Sequence, residues 1–389
     1  MSDLIAHQWG RLGDLIQTGV VLSRWKSQTS GRVALTYDSR YQAVVERMSC
    51  VDDGFPLDLS RIVGDSRSER ECETILTIEQ ALNGMQSLCG GVHLVLNRSN
   101  SVALLSHLLK PEVSLGYRWD NGQLRTPAIL ADWLNGPDKN PYPAHVCDTW
   151  SQMAGLSCDR VPDDVLNKKK RHREIGKDAF RILLFADAGE IYRTSPLPWL
   201  TRLCDELLKF SQLHITAVGS KTGNGMDKLN SLAASNEYQF EDLRGRTTLT
   251  ELISLCERHD AAIGPDTGGL HLAAACGCFP IGLYSGGASV FNTGPYSARA
   301  CVLQNPEWTE AEIKSLRDAV AALEENSIEN HIPRGTVSFW MPCLDEFGLC
   351  YTHPAWNTHS KTTVSRLREE LHSKWLAEKN TLELQQAET

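Results

Sequence analysis

Two segments of the sequence combine glycines, a carboxylate and a helix start in the way that anion chemistry requires. The stronger is Gly264-Pro265-Asp266-Thr267-Gly268-Gly269-Leu270-His271, running on into Leu272-Ala273-Ala274-Ala275. The apolar run before it reads as a strand and the run after it as a helix. Asp266 or Thr267 can cap that helix, while Gly268 and Gly269 let the backbone come close to a ligand. Unsatisfied first-turn amides and the helix dipole make such a start an anion site, and a phosphate or diphosphate is the expected ligand. His271, one turn in, adds a donor. The plain alternative is an ordinary helix start, with Asp266 as cap, the glycines as turn residues and His271 on the surface.

The second segment is Gly10-Arg11-Leu12-Gly13-Asp14, between the first apolar run and the first helix. Its glycines permit an unusual backbone, and Asp14 begins the helix. Here the plain alternative is an N-cap. As chemistry, a carboxylate at this place can accept a proton from a substrate hydroxyl.

The elements that must carry these loops alternate between strand and helix. In the first half, Leu4-Ile5-Ala6 is a predicted strand, Asp14 to Trp25 a helix, Val33 to Thr36 a strand, Tyr41 to Arg47 a helix and Val92 to Leu96 a strand. In the second half, Arg181 to Ala186 is a strand. Pro198 then stands at a first helical position ahead of Leu200, Leu203, Cys204, Leu207 and Leu208, all on one helical face. His214 to Val218 is a strand, and Thr248 with Glu251 has capping-box spacing. Strand Ala261 to Gly264, a helix through Leu270 to Ala275 and strand Pro280 to Tyr284 complete the series. This alternation predicts an α/β fold of two doubly wound parallel sheets, with ligands outside the carboxyl ends of the strands and in the cleft between two domains. The expected domains are 1–175 and 176–360. They are followed by a helix in 361–389, whose Val364, Leu367, Leu371 and Trp375 form one stripe that needs a partner surface.

Composition narrows the function classes. The 389 residues are 41% hydrophobic and 22% charged, with 39 Lys+Arg against 48 Asp+Glu and a net charge of −9. That balance argues against nucleic acid as a partner, which calls for a basic surface. The first residues carry no basic region followed by an apolar run, and no stretch of 18 apolar residues occurs, so a cytoplasmic protein is expected. Twelve cysteines are scattered through apolar segments rather than spaced as a framework, and most read as small buried hydrophobes. One basic run, Lys168-Lys169-Lys170-Arg171-His172-Arg173, precedes the expected boundary and reads first as a solvated linker.

Taken together, Gly10-Arg11-Leu12-Gly13-Asp14-Leu15-Ile16-Gln17-Thr18, Gly245-Arg246-Thr247-Thr248-Leu249-Thr250-Glu251-Leu252 and Asp266-Thr267-Gly268-Gly269-Leu270-His271 resemble glycosyltransferase family 9, the bacterial ADP-heptose heptosyltransferases. The resemblance implies a GT-B fold with an N-terminal acceptor domain, a C-terminal nucleotide-sugar domain and a last helix crossing back to the first. It also implies an inverting transfer of heptose from ADP-heptose to an acceptor hydroxyl, with no metal and no cofactor beyond the donor. By motif position Asp14 is the catalytic base, and the donor residues are Gly13, Arg193, Gly219, Thr247, Asp266, Thr267, Gly268 and His271. Arg193 stands where the family more often has lysine, and an arginine there can chelate phosphate in bidentate fashion.

The chain departs from the family after Val218-Gly219, where an acidic residue often reaches the nucleoside. Here Ser220-Lys221-Thr222-Gly223-Asn224-Gly225 offers no carboxylate before Asp227. The implied acceptor is either a lipid-linked oligosaccharide of the lipopolysaccharide core or a protein serine. In the first case the 168–173 run can touch the inner face of the cytoplasmic membrane peripherally. Cys343, Cys350 and His353, with His359 beyond, fit no standard zinc spacing, and no metal site is expected. A dehydrogenase is disfavoured because Gly10-x-x-Gly13 is not Gly-x-Gly-x-x-Gly. A nucleotide-sugar epimerase shares the architecture but releases nucleotide without an acceptor. A catalytically inactive nucleotide-sugar binding protein would be indifferent to Asp14→Ala.

Overall fold

The computed structural model describes residues 3–59, 83–136, 141–162, 165–166, 178–220, 229, 239–325, 339–353 and 358–387. The chain divides into two compact units. One comprises 1–167, 344–349 and 362–389, and the other comprises 168–343 and 350–361. The basic run at 168–173 and the expected boundary at 175 lie outside the described residues.

The first unit is built on strands β1 (Leu4–Gln8), β2 (Val33–Asp38), β3 (Asp53–Leu57), β4 (Val92–Val95) and β5 (Val113–Gly116), all parallel, in the order β3-β2-β1-β4-β5. A small antiparallel hairpin follows, β6 (Arg118–Asp120) with β7 (Gln123–Arg125). The chain leaves β1 for helix α1 (Leu12–Gln28), in which every residue from Leu15 to Trp25 is buried. Such burial all round explains why α1 mixes small, polar and apolar residues instead of showing a stripe. Its Arg24 is held by the Asp148 carboxylate at 2.9 Å, the Ser151 hydroxyl at 2.8 Å and the Arg160 carbonyl at 3.1 Å. His7 and His93 lie side by side in β1 and β4, with His7 Nε2 3.1 Å from His93 Nδ1; Thr36 is on the other nitrogen of His7, the Leu88 carbonyl on the other nitrogen of His93, and Ser106 shares His93 Nδ1. Burial, and then the neighbouring His93, drives the His7 pKa down to about 3, so this ring is neutral.

Where Tyr41 to Arg47 was expected to be helical, a 3₁₀ turn at Ser39–Tyr41 leads into the short helix α2 (Gln42–Val45). The Arg47 and Met48 amides close three-residue turns onto Val44 and Val45, which ends the α geometry early.

The second unit carries β8 (Phe180–Phe185), β9 (Leu213–Val218), β10 (Phe240–Asp242), β11 (Ala261–Gly264), β12 (Phe279–Tyr284) and β13 (Cys301–Gln304), again all parallel, in the order β10-β9-β8-β11-β12-β13. In both sheets the first strand lies between the second and the fourth. The order therefore reverses between β1 and β4 in one unit and between β8 and β11 in the other, the switch points where α/β sheets bind ligands.

Helices α3 (Asn100–Leu108), α4 (Ala128–Leu134) and α5 (Val146–Met153) belong to the first unit. In the second, α6 (Leu197–Leu207) buries Trp199, Leu200, Leu203, Cys204 and Leu207 in the core, but its N-cap is Pro196, so Pro198 is the second helical residue rather than the first. Helix α7 (Leu249–Arg258) opens on the predicted Thr248–Glu251 capping box. It is followed by α8 (Gly268–Cys276), α9 (Val290–Thr293) and α10 (Glu310–Glu324).

The hairpin of β14 (Met341–Asp345) and β15 (Gly348–Thr352) has its central residues, 344–349, in the first unit rather than with the rest of 176–360. Hydrogen bonds explain this: the Leu349 amide donates to Asp148 at 2.8 Å, and Arg368 holds Asp345 through two contacts of 2.7 and 3.0 Å and the Gly348 carbonyl at 3.2 Å. Arg368 belongs to the long C-terminal helix α11 (Thr358–Ala387), whose Leu367 and Leu371 pack on Tyr142 and Ala144 of the first unit. Among the described residues no helix is long and apolar enough to cross a membrane. Every described cysteine is a free thiol, and all but Cys89 and Cys343 are buried. Burial first, then Asp148, pushes the Cys158 thiol up to about 12, and burial then Asp205 does the same to Cys204, which leaves both unreactive.

Candidate functional site

At the switch point of the second sheet, the loops leaving β8 and β11 meet on one carboxylate. Asp266 follows β11, and its side chain is 9% exposed. Its Oδ2 receives Arg193 Nη1 at 3.1 Å and the Thr293 hydroxyl at 3.3 Å, and its Oδ1 receives His271 Nε2 at 3.3 Å. Burial raises the Asp266 pKa, but the His271 hydrogen bond, the charges of His271 and Arg193 and the Thr293 hydroxyl outweigh it and hold the carboxyl below its ordinary range. An ionised Asp266 fixes the His271 tautomer with its proton on Nε2. Behind it the Tyr284 hydroxyl, in the core, donates to the Thr293 carbonyl at 2.9 Å. Burial, then the Asp266 charge, raises the Tyr284 pKa well above its ordinary value, so the phenol stays protonated.

Asp266 thus does not cap α8. Its oxygens are spent on Arg193, His271 and Thr293. Thr267 is the N-cap, in extended backbone at φ −144° and ψ 152°, and its side chain makes no capping hydrogen bond. The Leu270 and His271 amides turn back to the Thr267 carbonyl at 3.1 and 3.3 Å. The amides before them, on Gly268 and Gly269, belong to the open end of the helix. Gly269 also has a use that the sequence did not show. A Cβ on Gly269 would lie 2.2 Å from the Phe185 ring, so that glycine lets α8 sit against the end of β8 and is required by protein packing.

Gly219, at the end of β9, has φ +143°, and a Cβ there would meet Asp187 at 2.3 Å. Its carbonyl accepts from the Gly245 amide at 2.8 Å, tying the exits of β9 and β10 together just before Thr247, which is partly exposed. The Asp187 carboxylate receives the Ser220 hydroxyl at 2.6 Å and the Ser220 amide at 3.2 Å. A carboxylate therefore does lie against Gly219-Ser220, supplied by the neighbouring strand's exit. A reading along the chain misses it because Asp187 and Gly219 are 32 residues apart in sequence and adjacent only through the β8–β9 register. Asp227 lies outside the described residues.

At the switch point of the first sheet, Asp14 is the third residue of α1, not its N-cap. The N-cap is Arg11, whose amide donates to Asp14 Oδ2 at 3.0 Å. Asp14 is half-buried, and Gly13 lies within the first turn beside it. The glycine this loop requires is Gly10. A Cβ there would lie 2.6 Å from Asp14 Oδ2, 2.8 Å from Gln8 Oε1 and 2.9 Å from Asn97 Nδ2. Gln8 accepts from the Gly10 amide at 3.0 Å and donates to Thr18 at 2.9 Å, and Thr18 in turn donates to the Asp14 carbonyl at 2.8 Å. Asn97, from the exit of β4, accepts from the Trp9 amide. Gln8 and Asn97 were not singled out from the sequence. The available signal was their place at the ends of β1 and β4, on either side of the switch point.

Among the described residues no group of three or more histidines, cysteines and carboxylates is placed to hold a metal ion. The Cys350 thiol is buried, and the His353 ring packs on Trp340 with centroids 5.0 Å apart. The side chain of His359 lies outside the described residues.

Residues 85–320 match glycosyltransferase family 9 (heptosyltransferase). The chain is similar to the solved structure of a glycosyl transferase family 9 protein from Veillonella parvula, with 16% identity and TM-score 0.58 over 84% of this chain and 95% of that one. It is also similar to E. coli ADP-heptose lps heptosyltransferase II, with 15% identity and TM-score 0.61 over 83% and 99%. For E. coli heptosyltransferase WaaC with ADP the figures are 14% and 0.61 over 82% and 99%. At these identities the likeness is one of fold, two Rossmann-like domains of the GT-B class. No curated protein matches the chain in sequence.

Proposed function

The chain belongs to glycosyltransferase family 9, the heptosyltransferase family, and we propose that this glycosyltransferase moves heptose from ADP-heptose to an acceptor hydroxyl during assembly of the lipopolysaccharide core. The observation that carries this reading is the Arg193–Asp266–His271 cluster beside the open N-terminus of α8, a built site for a diphosphate at the second switch point. Asp14 is the base. It takes the proton as the acceptor oxygen attacks the anomeric carbon from the face opposite the departing nucleotide, so that a single displacement inverts that centre. The O–H and anomeric C–O bonds break, one new C–O bond forms, and the charge leaves on ADP. Arg193, His271 and the Thr267 and Gly268 amides meet that charge, the task a metal performs in other transferases. Asp266 holds Arg193 and His271 in place for it. Gly219 and Thr247 line the nucleoside side, with the Asp187 carboxylate beside Gly219 serving the ribose, and Gly13 is a donor residue by its motif alone.

The test is product analysis. The protein is incubated with ADP-heptose and either truncated lipopolysaccharide or a cell extract lacking it, and products are followed by mass spectrometry. A heptose added to the lipopolysaccharide with inverted anomeric configuration, at a rate indifferent to chelators, is the expected result. Heptose on a protein alone would move the acceptor to protein, and release of ADP without any acceptor would point to an epimerase.

A further inference from the structure

Where β2 ends, Asp38-Ser39-Arg40-Tyr41 folds an arginine back onto a buried carboxylate. Asp38 Oδ1 accepts from the Arg40 amide at 3.0 Å, and its Oδ2 accepts from Arg40 Nε at 2.9 Å and Nη2 at 2.5 Å, so the guanidinium is locked along one edge. The Asp38 side chain is 2% exposed and that of Arg40 is 74% exposed. The second unit repeats this Asp-x-Arg clip at the end of β10, where Arg244 reaches Asp242 through its amide at 3.1 Å, Nε at 3.0 Å and Nη2 at 2.7 Å, but there both side chains are 6% exposed. One clip closes inside the protein. The other presents its arginine to solvent. Two of the five guanidinium donors of Arg40 are spent on Asp38, and the remaining three, on Nη1 and the far side of Nη2, meet no hydrogen-bond partner among the described residues.

The place of the clip gives those donors a use. In the β1–β2 register Gln8 lies beside Tyr37, which brings the exit of β2 alongside Trp9-Gly10 and the start of α1. Tyr41 joins the two exits. The Arg40 guanidinium lies over its ring, 5.6 Å from the centroid, and its hydroxyl accepts from the Leu12 amide in the helical turn that holds Asp14. Burial raises the Tyr41 pKa, the Arg40 charge opposes it, and the charges of Asp38 and Asp14 add to it, so Arg40 and Asp14 both reach one phenol.

We infer that Arg40 is an acceptor-binding residue: it takes a carboxylate or phosphate carried by an acidic acceptor saccharide, and so sets the attacking hydroxyl on Asp14. This inference rests on the proposed function, with Asp14 as the base, and adds to it the charge of the acceptor and a residue that the motifs did not mark. The exposed guanidinium is open to a large acceptor. Its free edge matches the two oxygens of an acidic group, a fit that a lysine ammonium does not offer. Asp38 supplies the order, because a guanidinium already locked on one edge loses little freedom when the other edge is filled. An acceptor held at both its acidic group and its hydroxyl has one orientation toward the base.

The experiment is steady-state transfer from ADP-heptose by the wild-type protein, Arg40→Gln and Arg40→Lys. Two acceptors are compared: truncated lipopolysaccharide, and the same material with its carboxylates amidated and its phosphates removed. Arg40→Gln, which keeps a donor for Asp38, should raise KM for the acidic acceptor about 10- to 100-fold, with the KM for ADP-heptose and the melting temperature level. Arg40→Lys keeps the charge without the fork and should recover part of that loss. On the neutralised acceptor the wild-type kcat/KM should fall to that of Arg40→Gln, and the substitution should cost nothing further. An acceptor KM within about twofold of wild type in Arg40→Gln, or an equal loss of kcat/KM on both acceptors, overturns the inference and leaves Arg40 as the structural partner of Asp38. A KM for ADP-heptose that rises in proportion does the same. Wild-type protein that transfers no heptose to truncated lipopolysaccharide overturns the proposed function itself, and this inference falls with it.

Discussion

Replacing Asp266 tests whether one carboxylate organises the donor site. Three donors converge on it at 3.1 to 3.3 Å, and the Arg193 partner has a side chain 31% exposed. Asparagine keeps one acceptor oxygen, which can serve Arg193 and Thr293, and turns an amide toward His271, whose tautomer can switch to receive it. The loss is then the charge alone, about 1–2 kcal/mol, the gap between a charged and a neutral hydrogen bond. Alanine removes all three and leaves Arg193 unpaired, at a cost of about 3–5 kcal/mol. Urea unfolding of Asp266→Ala, Arg193→Ala and the double variant isolates the pair, with an expected coupling of about 1–2 kcal/mol. The pH dependence has a fixed sign. The folded pKa of Asp266 lies below the unfolded value of about 3.9, so its contribution is complete above that value and is lost as pH falls through the folded one. The wild-type advantage over Asp266→Asn should therefore hold at pH 5 and shrink below about pH 4. Additivity of the two single substitutions within about 0.5 kcal/mol, or an advantage unchanged at low pH, would refute the clamp.

Asp14→Asn keeps an oxygen for the Arg11 amide, so stability should change by less than about 1 kcal/mol while kcat falls about 10²–10⁴-fold with ADP affinity intact; a kcat within tenfold of wild type removes Asp14 as the base. Gly10→Ala puts a methyl 2.6 Å from Asp14 Oδ2 and 2.9 Å from Asn97, and should lower kcat by displacing the carboxylate; an unchanged kcat would show that the loop gives way instead. Gly269→Ala drives a methyl into the Phe185 ring and should cost about 1–3 kcal/mol in denaturant unfolding, with Phe185→Leu in the same chain recovering part of it. Gly348→Ala, at φ +110° and 2.3 Å from Asp148, should loosen the 344–349 segment, read as faster hydrogen exchange at Leu349.

Periodicity made the strands legible because parallel strands buried on both faces are short apolar runs, and β8, β9, β11 and β12 stand within a residue or two of where the pattern puts them. Of the sheet strands missed, β3, β5, β10 and β13, the first two show why. β3 is Asp53-Gly54-Phe55-Pro56-Leu57 and β5 is Val113-Ser114-Leu115-Gly116, edge strands whose residues are mostly half-buried or exposed and so carry no continuous apolar signal. The site divides in the same way. Asp14, Asp266 and His271 were legible because they sit in one local motif each, where glycine, carboxylate and helix start are read together. Asn97, Gln8 and Asp187 were not, because their roles exist only through strand register. The choice between Asp266 and Thr267 as cap stayed open for the same reason: the partners that occupy Asp266, Arg193 and Thr293, are 73 and 27 residues away along the chain.

On the proposed function, the Arg193–Asp266 pair also bears on how a protein of net charge −9 would hold a nucleotide diphosphate. Were Arg193 free, the site would attract anions by net local charge. Paired with Asp266 it contributes almost none, and His271 too is turned onto that carboxylate. What remains is direction: donors on Arg193 and His271 fixed by one carboxylate, and amides at the start of α8 fixed by the helix. Fixed dipoles cost no reorganisation when charge appears, so such a site favours the oxygen that gains charge during transfer over an oxygen already charged at rest. An ordered, ion-paired cluster is thus better matched to a departing diphosphate than a loose cation, and the cost of burying Asp266 is what sets that order.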